Sequence, residues 1–190
     1  MDKQEIFEKL TMLSIEAGAC KANIISAQDI EMNKSFRDVC ATNACGMYGK
    51  CYMCPPDVGD IDVLMSEIKK YDYALVYQTV TSLEDSFDFE GMMDAKEKFF
   101  SLAQKIRKAF LDMNILNALH LGAGGCGVCQ KCAKVENLPC RFPEKALSSL
   151  EAYGVNVSAT VKHTEMKYIN GTDTVTYFGM VLFKENELCL

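Results

Sequence analysis

The cysteines of this chain form two groups that the fold must hold in place. Cys20 and Cys189 stand alone, and the other eight of the ten cysteines lie in two sets of four. The upstream set consists of Cys40, Cys45, Cys51 and Cys54, and the downstream set consists of Cys126, Cys129, Cys132 and Cys140. Grouped thiols are typical either of metal sites or of disulfide frameworks. The fold therefore has to position two cysteine-rich segments, whatever else it does.

The downstream set has the spacing by which bacterial ferredoxins hold an iron–sulfur cluster. Cys126, Cys129 and Cys132 recur at every third residue, so one loop can reach three irons of a cubane. The glycines within 122–127 allow a tight turn close to a bulky inorganic core, and such turns direct N–H groups at its sulfides. Zinc sites more often pair two Cys-x2–4-Cys knuckles across a longer insert. This set therefore favours a cluster over zinc.

The upstream set is less specific. Cys51 and Cys54 are separated by two residues, but the other gaps are four and five residues, which matches neither the ferredoxin run nor a pair of zinc knuckles. Pro55 follows Cys54, as a proline follows the last cysteine of the bacterial ferredoxin run. In two-cluster ferredoxins the fourth cysteine of each run serves the other cluster. Cys54 and Cys140 are therefore candidates for exchange between the two sets.

Composition and charge narrow the class of protein. The net charge is -6, the pI is about 5.0 and no basic tract is present, which argues against a nucleic-acid partner. The first residues lack the apolar core of a signal peptide, and no apolar run is long enough to span a bilayer. We therefore expect a cytoplasmic protein without a membrane partner. In that compartment grouped cysteines indicate metal or redox chemistry more often than disulfides.

Hydrophobic periodicity predicts an α/β or α+β fold with a mixed β-sheet and flanking helices. The expected organisation is one domain over 1–190, with an upstream cysteine loop at 36–59 and a downstream cysteine loop at 122–142. A strand, a long helix and another strand over 73–121 form a predicted βαβ unit. Asn170-Gly171 predicts a C-terminal β-hairpin. Helices are expected at 3–17, after Asp60, at 89–113 and from Pro143 to Tyr153, and strands at 22–26, 73–81, 115–121, 155–166 and 174–183.

Three further side chains have a functional and a structural interpretation. His120 precedes the glycine-rich loop and is a candidate donor to a cluster sulfide or to a cluster ligand. His163 alternates with Val157 and Val161 in the predicted strand, where it is a candidate ligand or proton relay, or else a core histidine. Arg141 follows Cys140 and would stabilise a reduced cluster, or else be an ordinary loop charge. For all three side chains the structural interpretation is favoured over the functional one.

Four stretches of the chain resemble one protein family. The upstream stretch is Tyr48-Gly-Lys-Cys-Tyr-Met-Cys-Pro-Pro56. The downstream stretches are Gly124-Gly-Cys-Gly-Val-Cys-Gln-Lys-Cys132, Pro139-Cys-Arg-Phe-Pro-Glu-Lys-Ala146 and Ser149-Leu-Glu-Ala-Tyr-Gly-Val155. They are similar to the DUF2284 family of predicted metal-binding proteins. The resemblance covers about residues 35–160 and implies a small cysteine-rich protein of anaerobic bacteria or archaea. It marks Cys40, Cys45, Cys54 and the four downstream cysteines as ligands, whereas Cys51 is included on its spacing.

Three functions are compatible with these observations. The first is an electron-transfer module with two [4Fe–4S] clusters that serves a redox partner protein of an anaerobic oxidoreductase. The second is an enzyme in which a cluster with an open iron acts on a small molecule, bound near the glycine-rich loop. The third is an interaction or regulatory domain in which zinc stabilises the fold. The sequence names no catalytic residue and does not set the oligomeric state.

Overall fold

A mixed five-stranded sheet organises the chain. The computed structural model describes residues 2–188, so Cys189, which the sequence suggests is part of a frayed tail, lies outside the described residues. The elements in chain order are α1 (Lys3–Ala17), β1 (Lys21–Ser26), α2 (Phe36–Ala41), α3 (Ile61–Ile68), β2 (Tyr73–Ser82), α4 (Phe89–Asp112), β3 (Leu119–Gly122), β4 (Ser148–Ser149), α5 (Val157–Thr160) and β5 (Thr174–Phe183). The order of strands in the sheet is β1-β2-β5-β3-β4.

The sheet is mixed because only one of its pairs is parallel. β5 is antiparallel to both β2 and β3, whereas β3 and β4 run parallel. β2 and β3 therefore point the same way, with β5 between them and α4 as the crossover. This arrangement confirms the predicted α+β fold and its strand–helix–strand unit, and it brings the end of β3 next to β4.

Apolar cores cover both faces of the sheet. On one face α1 and α4 pack through Leu10, Phe99 and Ile106 against Tyr77 and Phe183 of the sheet. On the other face the core includes residues of α3 and α5. Because both faces are covered, four consecutive residues of β2, Ala74 to Tyr77, are at most 1% exposed.

The helix boundaries follow local capping chemistry. Asp2 and Glu5 form a capping box at the start of α1, and Gly18 ends that helix with a φ of 122°, which a residue with a Cβ rarely adopts. Asp60 caps α3 by accepting hydrogen bonds from the N–H groups of Asp62 and Val63. The helices predicted at 3–17, after Asp60 and at 89–113 are therefore confirmed.

The predicted C-terminal hairpin is wrong. Residues 155–166 do not form a strand: Val155 makes one isolated bridge with Met32, and the chain then forms α5 and a 3₁₀ turn at Val161–His163. β5 pairs with β2 and β3, far away in sequence, rather than with the preceding segment. His163 consequently lies on a helical turn and not on a strand face, with its side chain 42% exposed and 3.9 Å from Glu31.

Three other predictions need correction. The segment from Pro143 forms a turn and then β4, and only Glu151–Tyr153 is helical, as a 3₁₀ turn that ends at Gly154. The region 28–59 is irregular apart from the end of a 3₁₀ turn at Ala27–Asp29 and α2. The weak periodicity there did not predict α2. β3 is also shorter than the predicted strand at 115–121.

Candidate metal centre

The downstream cysteine loop starts and ends on the sheet. It leaves β3 at Gly122 and returns at β4, where Leu121 pairs with Ser148 and Gly122 with Ser149. Gly122 sits close to Leu147 and Phe99, each 3.7 Å from where a Cβ would stand. The glycine-rich turn therefore begins in ordinary van der Waals contact with the core, and the three cysteines that follow it lie in the loop between β3 and β4.

Five thiols from both cysteine sets line one small cavity. The four downstream cysteines are joined there by Cys51 of the upstream set, and the free volume between them is about 20 Å³. Arg141 is the only charged side chain in its lining, and no carboxylate or imidazole is present there. Thiolate donors without oxygen donors suit zinc, copper(I) or iron–sulfur clusters rather than magnesium or calcium. The residues present therefore fit a soft metal or a cluster.

Cys51 joins the two sets. Its thiol is 1% exposed and is hydrogen-bonded to the thiols of Cys126 and Cys54. The bond with Cys126 lowers the pKa of Cys51, but the bond with Cys54 and burial outweigh it and raise the pKa to about 11. The bond with Cys51 and burial likewise raise the pKa of Cys126. These two thiols therefore keep their protons at neutral pH, and a bound metal would have to displace them.

The remaining upstream cysteines lie to one side of this cavity. Cys40 is the penultimate residue of α2, and Cys45 lies in an exposed turn after that helix. The hydrogen bond with Cys51 lowers the pKa of Cys54. The thiols of Cys40 and Cys45 are close enough to raise that pKa, but by less. Burial raises the pKa of Cys40. The structure therefore brings Cys40 and Cys45 near Cys54 but not into the five-thiol cavity.

The thiols converge without forming a finished coordination site. Within residues 2–188 no group of three or more Cys, His, Asp or Glu side chains is arranged to hold a metal ion. All nine described cysteines are free thiols rather than disulfides. The structure thus gathers the predicted ligands into one region, and their assignment as ligands stays a prediction.

Contacts between the two cysteine loops hold this region together. Lys134 of the downstream loop forms an ion pair with Asp57 of the upstream loop, and its ammonium lies 5.5 Å from the centre of the Tyr52 ring. The Tyr52 hydroxyl donates to the carbonyl of Leu138 at 2.8 Å. Sequence reasoning missed Lys134 and Asp57, because nothing in the local sequence marks them as partners. Together these contacts explain how Cys51 reaches the downstream cysteines.

Arg141 acts as a clamp within the downstream loop. Its guanidinium donates to the carbonyl of Lys131 and to the carboxylate of Glu136, both at 3.0 Å. Glu136 also pairs with the ammonium of Lys131 at 3.2 Å. These contacts favour the structural interpretation of Arg141, which fixes the chain between Cys132 and Cys140.

His120 belongs to the core rather than to the cysteine loop. Its Nε2 is hydrogen-bonded to the Tyr77 hydroxyl at 2.7 Å, beneath α4. Burial, helped by the charge of Arg107, lowers the pKa of His120 to about 3, so the imidazole is neutral. Burial raises the pKa of Tyr77. The structure therefore gives His120 a partner other than a cluster ligand.

A larger cavity adjoins the same thiols. It has a volume of about 500 Å³, lies between α4 and the glycine-rich loop, and reaches Cys126. Phe99, Phe100 and Leu147 form apolar walls, and Lys96 and Glu97 supply its charged groups. The sequence offered one sign of this surface: Met93 and Phe100 are apolar residues of α4 that lie beside its buried stripe.

Fold and site together define an α+β protein with a thiol-lined cavity at the edge of its sheet. Residues 23–183 match the family model DUF2284, described as a predicted metal-binding protein. The chain therefore belongs to the DUF2284 family, as the motifs around both cysteine sets indicated. No curated protein and no solved structure matches the chain. No helix within residues 2–188 has the length and apolarity to cross a membrane.

Proposed function

We propose that this protein carries two iron–sulfur clusters and serves as an electron-transfer module for a partner oxidoreductase. The observation that carries the proposal is the convergence of five thiols from both cysteine sets on one cavity. A lining of thiols without oxygen or nitrogen donors suits an iron–sulfur cluster as well as zinc, so the spacing of the cysteines decides between them. The Cys126, Cys129 and Cys132 run at every third residue is a cluster spacing. Family membership supports metal binding, and the proposal adds the identity of the metal.

The chain's own residues have distinct roles in this proposal. Cys126, Cys129, Cys132 and Cys140 would hold one cluster, and Cys40, Cys45 and Cys54 would hold the other with Cys51. When bound, a [4Fe–4S] cluster supplies a one-electron couple whose potential depends on burial and hydrogen bonding. Cys51 lies buried between the two sets, so it is in a position to connect them. The net charge of -6 suits a partner with a basic surface.

Metal and sulfide analysis of anaerobically purified protein tests the proposal. Two clusters predict about eight irons and eight acid-labile sulfides per chain, with broad absorption near about 400 nm. Cys129→Ser should remove about half of the iron and absorbance. Cys20→Ser is the matched control and should keep both, because Cys20 is a lone thiol that lies outside the cavity and accepts from the Val80 N–H. Stoichiometric zinc in a colourless, sulfide-free protein would refute the proposal and favour a zinc-stabilised domain.

Cys51→Ser tests whether the two sets are linked. If Cys51 serves only the upstream set, the variant should lose the same share of iron as Cys54→Ser. If Cys51 connects the sets, its replacement should also lower the iron retained by the downstream cysteines. Iron content measured in Cys51→Ser, Cys54→Ser and Cys129→Ser under the same conditions separates these two outcomes.

One observation favours a second candidate, an enzyme in which a cluster acts on a small molecule. The cavity of about 500 Å³ that reaches Cys126 is the size of a ligand pocket, which a simple electron carrier does not need. A chemically reduced protein that passes electrons to a partner protein but to no small molecule would argue against this candidate. Reoxidation that depends on a small acceptor, and that is lost when the cavity is blocked, would favour it.

A further inference from the structure

The cavity between α4 and the glycine-rich loop has the properties of a ligand site. Its volume of about 500 Å³ falls within the range of small-molecule pockets, and it reaches Cys126 at one side. Phe99, which is 3% exposed, and Leu147, which is 5% exposed, belong to the core behind it, so these walls are fixed by packing. A pocket with fixed apolar and aromatic walls favours a flat, largely apolar ligand.

The charged groups of the cavity favour an anionic ligand over a cationic one. Lys96 is half-buried, and its Nζ lies 3.9 Å from where a Cβ of Gly124 would stand, so the ammonium reaches the glycine-rich loop. It forms no ion pair with any described residue. Glu97, the other charged residue of the lining, is exposed. The less solvated charge is therefore the positive one.

Backbone donors on the loop add to this positive character. Among the described residues, no backbone carbonyl accepts a hydrogen bond from the N–H of Gly124, Gly125 or Gly127. Gly124 has a φ of 66°, the left-handed conformation that alternates with ordinary backbone in anion-binding turns. These glycines line the cavity together with Lys96 and Cys126. An anionic group would find its complement there, with the apolar body of the ligand against Phe99 and Phe100.

We propose that this cavity binds a flat aromatic carboxylate, with its carboxylate at Lys96 and the glycine-rich loop and its rings between α4 and Leu147. The binding site is argued from the cavity alone. Its use as a substrate site beside a redox centre rests on the second candidate under the proposed function, in which a cluster acts on a small molecule. Cys126 lies at the junction of this cavity with the five-thiol cavity, so the ligand would lie next to the proposed centre.

Titration calorimetry with 2-naphthoate, on anaerobically purified protein, tests the site. We expect one equivalent to bind, at least about tenfold more tightly than the neutral 2-naphthamide, because a charge-assisted hydrogen bond contributes that much. Lys96→Gln should weaken 2-naphthoate binding by about tenfold and leave 2-naphthamide unchanged. Lys98→Gln removes the same charge from the same helix at an exposed position outside the cavity, and should have no effect.

A second pair of variants tests the apolar wall without changing charge. Phe100→Ala should weaken both ligands, whereas Phe89→Ala, on the same helix but 71% exposed and outside the cavity, should weaken neither. Equal binding of the two ligands would overturn the anionic class. Absence of saturable binding, or equal losses in Lys96→Gln and Lys98→Gln, would overturn the site. Iron and sulfide measured on the same samples report separately on the proposed function, which fails only if those contents are absent.

Discussion

Replacing Gly179 with alanine should destabilise the protein strongly, because its cross-strand neighbour leaves no room for a methyl group. Gly179 of β5 pairs with Tyr77 of β2. A Cβ at Gly179 would lie 2.1 Å from Tyr77 Cζ and 2.2 Å from its hydroxyl. The Tyr77 ring is 0% exposed, stacks on Phe99 with centroids 5.7 Å apart, and is held by the 2.7 Å hydrogen bond with His120. The ring therefore cannot swing aside cheaply.

The size of the effect follows from that overlap. Overpacking a well-packed core typically costs about 1–3 kcal/mol. Here the ring is fixed from several sides, so we expect a loss near the upper end, about 3 kcal/mol in the free energy of unfolding. For a chain of this size such a loss corresponds to a decrease in Tm of about 6–12 °C. Without the clash the substitution would be mildly favourable, since glycine within a strand costs about 0.5–1 kcal/mol relative to alanine.

A double-mutant cycle with Tyr77→Leu separates the clash from other effects. Leucine lacks the outer ring atoms that a Cβ at Gly179 would meet. In that background Gly179→Ala should be neutral or stabilising, so the sign of its effect should change between the two backgrounds. Denaturant unfolding of the four proteins, followed by circular dichroism at matched metal content, gives the coupling energy. An equal cost of Gly179→Ala in both backgrounds would refute the reasoning.

Three smaller predictions concern a buried base, a loop contact and a helix cap. Because the pKa of His120 is about 3 in the fold and near about 6.5 when unfolded, stability should fall as the pH drops from about 6.5 towards 3, with a slope that His120→Gln removes in pH-dependent unfolding experiments. Tyr52→Phe deletes the hydroxyl that donates to Leu138, so bound metal should pass to a chelator faster than in the parent protein; an unchanged rate would show that this contact does not hold the loops together. Asp60→Ala removes the cap of α3 and should cost about 1 kcal/mol in urea unfolding, whereas Asp60→Asn should cost little.

Caps and apolar periodicity predicted the long helices correctly. They failed for strands whose position depends on pairing with residues far away in sequence. The helices α1, α3 and α4 have caps and apolar stripes that can be read from their own residues. The strand predicted at 155–166 was wrong because Val157 and Val161 are four residues apart, which fits one face of a helix as well as alternate positions of a strand. Asn170-Gly171 does precede β5, but the partners of β5 are β2 and β3, which the turn sequence cannot specify. β4 is likewise defined by β3 rather than by its own two residues.

The sequence singled out the cysteines that line the small cavity but not their grouping, and their role as metal ligands stays a prediction. The spacing of Cys126, Cys129 and Cys132 identified the downstream loop directly. The position of Cys51 in the downstream cavity depends on contacts such as the Lys134–Asp57 ion pair, which joins residues far apart in sequence. The cavity beside α4 was also hidden, because its walls come from a helix and a loop whose proximity is set by the sheet.

The parallel pairing of β3 with β4 has a consequence for how tightly this protein can hold its metal. When a flexible loop has to close as its ligands gather around a metal, the entropy lost on closure lowers the affinity for that metal. For a segment as long as 123–147 this loss is about 3 kcal/mol. Here the two ends are already pinned on adjacent strands by the Leu121–Ser148 and Gly122–Ser149 pairs. Folding of the sheet thus preorganises the loop before any metal arrives, and ligand binding has only to order its interior.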